Sequence, residues 1–418
     1  MDKVSSTNIS KFISRCEENL KDIFAELDET ALFNQRKVLN AFKNNSVAQR
    51  HFSGTNGYGY DDIGRDTLCK IYAEVLGSEK AIVSPLFVSG THALSTMLFG
   101  SLKKGDKFIS VSGMPYDTLT DVIQGENIGS LKDFGIQFES IDLVSHNGIY
   151  DFDFEKIKDK IESEKINAIF IQRSRGYSDR NALSCADIKK VIDFVKKIDN
   201  SIIAIVDNCY GEFVETIEPT DVGADVMAGS LIKNIGGGIA PTGGYIAGKS
   251  TIVDSCAGRL TAPSIGFEVG SYAFGYTQFY EGLFLAPTVV RNALKACCLF
   301  SEAYKKLGYQ TLPNLSNTKP YDIVTSIVFS DKQKLIDFCR AIQECSPVDS
   351  NLLLEPWDMP GYHHQVIMAA GTFVAGSSIE LSADAPIKEP YIVYVQGGLT
   401  YEHAKIALEN TISKLGLL

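Results

Sequence analysis

Residues 225–248 read DVMAGSLIKNIGGGIAPTGGYIAG, and the meaning of the rest of the chain turns on this stretch. One lysine, Lys233, sits among small residues: Ala228, Gly229 and Ser230 before it, Gly236, Gly237 and Gly238 after it. Ile232 and Ile235 flank it where a surface lysine usually has charged neighbours, so its amine is expected to point into a cavity. Desolvation is expected to remove part of the proton affinity of such an amine and to prepare it for Schiff-base chemistry with an aldehyde. The glycines let backbone come close to a ligand. The other reading of the same letters is a glycine-rich loop with a snorkelling lysine.

Upstream, residues 201–206 (SIIAIV) form a short apolar, β-branched run, the mark of a buried parallel strand. The run ends in Asp207, followed by Asn208, Cys209, Tyr210, Gly211 and Glu212. A carboxylate at the C-terminal end of such a strand faces the ligand crevice of an open α/β sheet. Pyridoxal phosphate needs a lysine for its aldehyde and an anion against its ring nitrogen. Asp207 and Lys233 supply that pair in the expected order; a helix cap or turn is the alternative role for Asp207.

The chain's 418 residues exceed one ordinary domain, so two domains and an arm are expected. A net charge of -11 argues against nucleic acid and against an acidic membrane surface as partners. No apolar run approaches the ~20 residues of a membrane span. The first ten residues, MDKVSSTNIS, lack an apolar signal core. Nine cysteines are scattered without a CxxC or Cys/His cluster, which reads as reduced thiols in the cytoplasm. Cys297 and Cys298 read as packing residues on a helix. Adjacent His363 and His364 have no carboxylate partner at helical spacing, so no metal site is expected.

Residues 1–55 read as a helical arm. Ile9, Phe12, Ile13 and Cys16 share one face, continued by Leu20, Ile23, Phe24 and Leu27. That face needs a surface, either on a partner subunit or on the chain's own domain. Residues 51–66 (HFSGTNGYGYDDIGRD) make a glycine-rich loop carrying Tyr58 and Tyr60, suited to a turn or a ligand contact. Residues 81–84 form a strand, and Ser89, Gly90 and Thr91 then open a helix. The free N–H groups of a helix start are phosphate candidates, although N-capping explains the hydroxyls equally well. The strand 107–111 leads to Tyr116, an aromatic placed to stack on a planar ring or to pack on the core. Further strands are expected at 133–141 and 168–172. Arg173 and Arg175 follow the second of these, suited to a carboxylate or phosphate oxygen, or to acids across a subunit interface. The alternation over 80–250 predicts a mostly parallel sheet with helices on both faces. Beyond a long helix at 288–307, strands at 322–329, 380–382 and 391–395 and helices at 332–344 and 401–415 predict a smaller α/β domain.

The segments FSGTNGYGYDDIGRD, PLFVSGTHAL, SGMPYDTL, VDNCYGEF and AGSLIKNIGGGIAPTGGYIAG together resemble the aluminium-resistance family. That family is a branch of the cystathionine lyase and methionine γ-lyase relatives among fold-type-I pyridoxal phosphate enzymes. The resemblance runs on into AAGTFVAGSSIELSADAPIKEPYIVYVQGGLTYEHAK. It implies an α/β fold: a large, mostly parallel sheet domain of the seven-stranded type at 56–287, and a small C-terminal domain at 288–418. It implies a carbon–sulfur lyase acting on a sulfur-containing amino acid, assembled as a homodimer or homotetramer with shared active sites. Aminotransfer, aldol-type cleavage and a purely cofactor-holding role remain the alternatives.

The resemblance further implies Lys233 as the cofactor's covalent partner, Asp207 against the ring nitrogen and Tyr116 stacked on the ring. Gly90, Thr91 and Ser230 match phosphate contacts, and the loop with Tyr58 and Tyr60 matches a segment that reaches a neighbouring subunit's phosphate. Two departures stand out. Ile232 replaces the usual hydroxyl before the lysine, and the only arginines past residue 260 are Arg291 and Arg340, both in helical stretches. The substrate-carboxylate role then falls to Arg175 or Lys388.

Overall fold

The computed structural model describes residues 3–146, 149–359 and 364–418. The chain begins with helices α1 (Lys3–Asn19) and α2 (Lys21–Asn44), then α3 (Ile63–Val75). The large sheet follows: β1 (Lys80–Ser84), α4 (Gly90–Ser101), β2 (Lys107–Ser110), α5 (Asp117–Gln124) and β3 (Gln137–Ser140). A hairpin of β4 (Val144–His146) and β5 (Ile149–Asp151) leads to α6 (Phe154–Ser163), β6 (Ala168–Gln172) and α7 (Cys185–Ile198). Then come β7 (Ile203–Asp207), β8 (Val226–Ser230), β9 (Gly244–Gly248) and α8 (Ser250–Leu260).

The seven strands of this sheet lie in the order β1-β9-β8-β7-β6-β2-β3. β9 runs antiparallel to both β1 and β8, and the remaining neighbours are parallel. Every residue of β6, β8 and β9 is buried, which is why these segments read as runs of apolar and small residues, broken only by Gln172 at the end of β6. The strand expected at 133–141 is shorter than read. Asp133 instead collects the N–H groups of Asn127, Ile128, Gly129 and Ser130 at 2.8–3.3 Å, which closes a turn before β3.

The arm packs on its own chain. Ile9, Ile13, Cys16 and Leu20 are buried. The Tyr401 hydroxyl donates to Glu17 at 2.9 Å, and Asn34 Nδ2 donates to the carbonyls of Phe213 and Glu215 at 3.2 and 3.0 Å. Of the two surfaces considered for this face, the intramolecular one holds here.

Helix α9 (Thr277–Lys306) is thirty residues long, so the domain boundary expected at 287/288 falls inside it. Pro287 removes one helical hydrogen bond but does not end the helix. Buried Phe279, Tyr280, Leu283, Ala286 and Val290 on either side tie both halves to the core. By length and composition α9 could cross a membrane, contrary to the sequence expectation, but two-thirds of its most apolar window is buried inside the protein. It is the central core helix.

After α9 come β10 (Gln310–Leu312), β11 (Val324–Val328), α10 (Lys332–Glu344), β12 (Val366–Ala369), β13 (Ser382–Pro386), β14 (Ile392–Gln396) and α11 (Tyr401–Lys414). The five strands form an antiparallel sheet in the order β10-β11-β14-β13-β12. Sequence reading missed β10 and β12 and placed β13 too early. Glu380 accepts the N–H groups of Phe373 and Val374, both at 2.9 Å, and serves as a loop anchor, not a strand residue. All nine cysteines are free, and Cys297 and Cys298 are buried on α9.

Candidate active site

The parallel strands β2, β6, β7 and β8 end on one side of the large sheet. There the small sheet closes over them and leaves a cavity of about 370 Å³, within the range of small-ligand sites. From the large sheet it receives Gln172 at the end of β6, Asp207 at the end of β7, Ser230 at the end of β8, and Lys233 three residues on. The start of α4 contributes Gly90 and Thr91. The small sheet contributes Met368, Ser382, Asp384, Tyr394 and Gln396.

Lys233 lies with its Nζ 4.1 Å from the centre of the Tyr210 ring, a cation–π contact. Tyr210 has a positive φ of 69°, costly for a residue with a side chain. Asn234 holds that turn by donating to the carbonyls of Tyr210 and Glu212 at 3.0 and 3.1 Å. The Tyr210 hydroxyl donates to Ser378 Oγ at 2.9 Å. The loop after Lys233 needs Gly237 at φ 58°: a Cβ there would meet the Gly282 carbonyl at 2.3 Å, and the bare backbone seats this turn on α9.

Burial by itself favours a neutral Lys233, and the Asp207 carboxylate beside it acts the other way and favours the ammonium. Asp207 is 6 % exposed. Burial raises its carboxyl above the ordinary range, partly offset by Lys233 and by the Cys209 N–H, which donates to Oδ1 at 3.0 Å. Burial also raises the Cys209 thiol well above its ordinary value, so it stays protonated. Behind them, burial pushes Glu212 up to about 8, and it accepts the Tyr245 hydroxyl at 2.9 Å.

Three features test whether pyridoxal phosphate fits. Lys233 and Asp207 face one cavity and influence one another's charge. Ser230 Oγ is buried with no hydrogen-bond partner among the described residues, although an unpaired buried hydroxyl is costly. Beside it, the start of α4 offers free N–H groups at Gly90 and Thr91. A Cβ on Gly90 would come within 3.1 Å of Ser230 Cβ and crowd the passage between them. An amine, an anion and a phosphate cradle are thus present together, and the donor set fits the cofactor.

Tyr116 lines the same cavity; its N–H donates to Gln172 Oε1 at 2.7 Å and its ring lies 5.7 Å from that of Tyr177. Several expected residues lie elsewhere. Ser89 is exposed and caps α4 by accepting the His92 N–H at 3.1 Å. Tyr58 and Tyr60 are 72 % and 63 % exposed, outside the cavity lining, on a loop braced by Arg65 donating to the Gly59 carbonyl at 3.0 Å.

Arg175 is buried, and its guanidinium donates to the Leu312 and Val324 carbonyls, joining β11 to the end of β10. It is a strut between strands and does not line the cavity. Lys388 is exposed on the turn between β13 and β14 and also lies outside the lining. Arg173 is spent on Asn208, the Gly211 carbonyl and Glu215 at 2.6–2.9 Å, all in its own chain. Among the described residues no His/Cys/Asp/Glu group suits a metal; His364 is exposed, and His363 lies outside the described residues.

Sequence reasoning missed Gln172, Tyr177, Tyr210, Asp384, Tyr394 and Gln396 as cavity residues. The strand-end logic that found Asp207 applies equally to Gln172, the polar residue closing the apolar run AIFIQ. Asp384 had one signal, an acid inside the otherwise small and uncharged strand SADAP.

The methionine γ-lyase family model matches residues 9–416. The uncharacterised protein YnbB of Bacillus subtilis strain 168 is 46 % identical over 410 residues, covering 97 % of this chain and 96 % of that one. A crystal structure of a carbon–sulfur lyase involved in aluminium resistance from Clostridium novyi NT is 48 % identical, with a TM-score of 0.93 and coverage of 98 % and 97 %. A candidate cystathionine β-lyase involved in aluminium resistance from Listeria monocytogenes is 48 % identical, with a TM-score of 0.94 and coverage of 97 % and 100 %.

Proposed function

This chain belongs to the methionine γ-lyase family, and from that premise we propose that it is a pyridoxal-phosphate-dependent lyase that breaks a carbon–sulfur bond in a sulfur-containing amino acid. The observation that carries the reading is the meeting of Lys233, Asp207 and the unpartnered Ser230 hydroxyl in one cavity. The cofactor, when bound, supplies an electron-accepting ring joined to the substrate's amine.

Each of the chain's own groups has a task in this reading. Ser230 Oγ and the N–H groups of Gly90 and Thr91 hold the phosphate. Asp207 keeps a proton on the ring nitrogen; against the cost of burial, the Lys233 charge and the Cys209 N–H on its Oδ1 favour the anion that this purpose needs. Tyr116, in the same cavity lining, would stack on the ring. Lys233 Nζ, once released by substrate, takes the α-proton; the Tyr210 ring under it limits where that amine can reach. Burial keeps the Tyr210 hydroxyl protonated. With water added, a thioether amino acid gives a thiol, an oxo acid and ammonia.

We assign the enzyme to the cytoplasm as a homodimer or homotetramer. The exposed Tyr58 and Tyr60 are assigned to the neighbouring subunit's phosphate. The test is optical and chemical. The purified chain should be yellow, absorbing near ~420 nm, and should release thiol from one of cystathionine, cysteine or methionine. Lys233→Ala should lose both properties. A colourless parent ends the reading, and amino transfer to an oxo acid without thiol release replaces it with an aminotransferase.

A further inference from the structure

The cavity wall opposite the cofactor residues carries an acid that the reaction above does not use. Asp384 stands on β13, and its partial exposure is to the cavity it lines. Its Oδ2 accepts Gln396 Nε2 at 2.9 Å and the Tyr177 hydroxyl at 3.5 Å. Its Oδ1 accepts no hydrogen bond among the described residues. No lysine or arginine among them pairs with it; the influences on its charge are burial, Gln396 and Tyr177. Burial pushes its carboxyl up to about 6, still low enough for the anion to prevail at neutral pH.

An anion held at a cavity wall without a counter-charge is costly unless a ligand supplies one. The lining's other charged groups are already committed, Lys233 to the cofactor aldehyde and Asp207 to the ring nitrogen. No arginine lines the cavity among the described residues; Arg175 Nη2 is taken by two carbonyls, and its Nε is buried without a hydrogen-bond partner among them. The substrate end of the site is therefore negative, whereas a second carboxylate on the substrate side chain would need a cation there.

We propose that Asp384, fixed by Gln396 and Tyr177, is a specificity-determining residue that receives a cationic group, so that the preferred substrate is a thioether amino acid whose side chain ends in an ammonium beyond the sulfur. Met359 and Met368 line the same cavity and give the thioether an apolar, polarisable path. The inference rests on the lyase reading of the site. It concerns which thioether binds, not whether the cofactor does.

Three probes of nearly equal length test it on the holoenzyme: S-(2-aminoethyl)-L-cysteine, S-propyl-L-cysteine and S-(2-carboxyethyl)-L-cysteine. Cofactor uptake is read first from the visible band, and each probe's Kd then comes from calorimetry and from its perturbation of that band. The aminoethyl compound is expected to bind roughly tenfold to a hundredfold tighter than the propyl compound, and the carboxyethyl compound weakest. Asp384→Asn, which keeps the shape, should bring the aminoethyl and propyl compounds within about threefold of each other. Equal binding of these two by the parent overturns the proposal while leaving the lyase reading intact. So does an Asp384→Asn enzyme that keeps the ranking, or one that loses kcat equally for all three with Kd unchanged, which would mark a proton donor. A parent that takes up no cofactor overturns both. The ranking by the parent needs no variant, so the test survives a variant that fails to fold.

Discussion

The two walls of the cavity are built on different electrostatic plans. On the large-sheet wall every charge has an opposite: Lys233 faces Asp207, and the unpaired Ser230 hydroxyl lies beside the free N–H groups of α4. On the small-sheet wall Asp384 has, among the described residues, neutral partners only, Gln396 and Tyr177. The first wall is complete for a cofactor carrying an aldehyde, a basic ring nitrogen and a phosphate. The second is unfinished until something positive arrives. A balanced wall suits a resident group, and an unbalanced one suits a visitor whose charge is part of its recognition.

Substitutions at chosen points test how separate the two walls are. The largest effect is expected from Asp207→Ala, which leaves the ring nitrogen without its anion. Turnover should fall on the order of 10²–10³-fold while the protein stays yellow. Retained turnover would mean that the large-sheet wall does not owe its chemistry to this pair. A middle-sized effect is expected from Arg175→Ala, which removes both bonds to the Leu312 and Val324 carbonyls. Thermal or denaturant unfolding should show a loss of about 1–3 kcal/mol, with KM within about twofold of the parent. A tenfold rise in KM at unchanged stability would return Arg175 to the substrate wall. The smallest effect is expected from Ser230→Ala, which removes one phosphate hydrogen bond. The cofactor Kd, from dialysis and the visible band, should rise about fivefold to tenfold, with the thioether ranking untouched. A change in that ranking would join the two walls.

The two walls also differ in how far they can be read from the letters. Lys233, Asp207, Gly90, Thr91, Tyr116 and Ser230 occupy strand ends, a helix start and a glycine-rich loop, where local rules about backbone geometry carry functional meaning. Asp384, Tyr394 and Gln396 sit inside two short antiparallel strands, and alternation there says only that a side chain faces one side or the other. The surroundings of Arg175 were hidden for a related reason. An arginine after an apolar strand looks like an anion clamp, but β10 and β11, far along the chain, bring carbonyls to it first. Helix α9 starts at Thr277 and not at 288 because proline's cost of one hydrogen bond is outweighed by the core on both sides of it.

Order along the chain was enough for the α/β alternation, for the lysine and its aspartate, and for the helix start that offers N–H groups, because each follows from a period or a dihedral demand within a few residues. The surroundings of Lys233, the burial of Arg175 and the anion at Asp384 needed the folded molecule. Electrostatic energy depends on distance and dielectric, and residues hundreds of positions apart supply both.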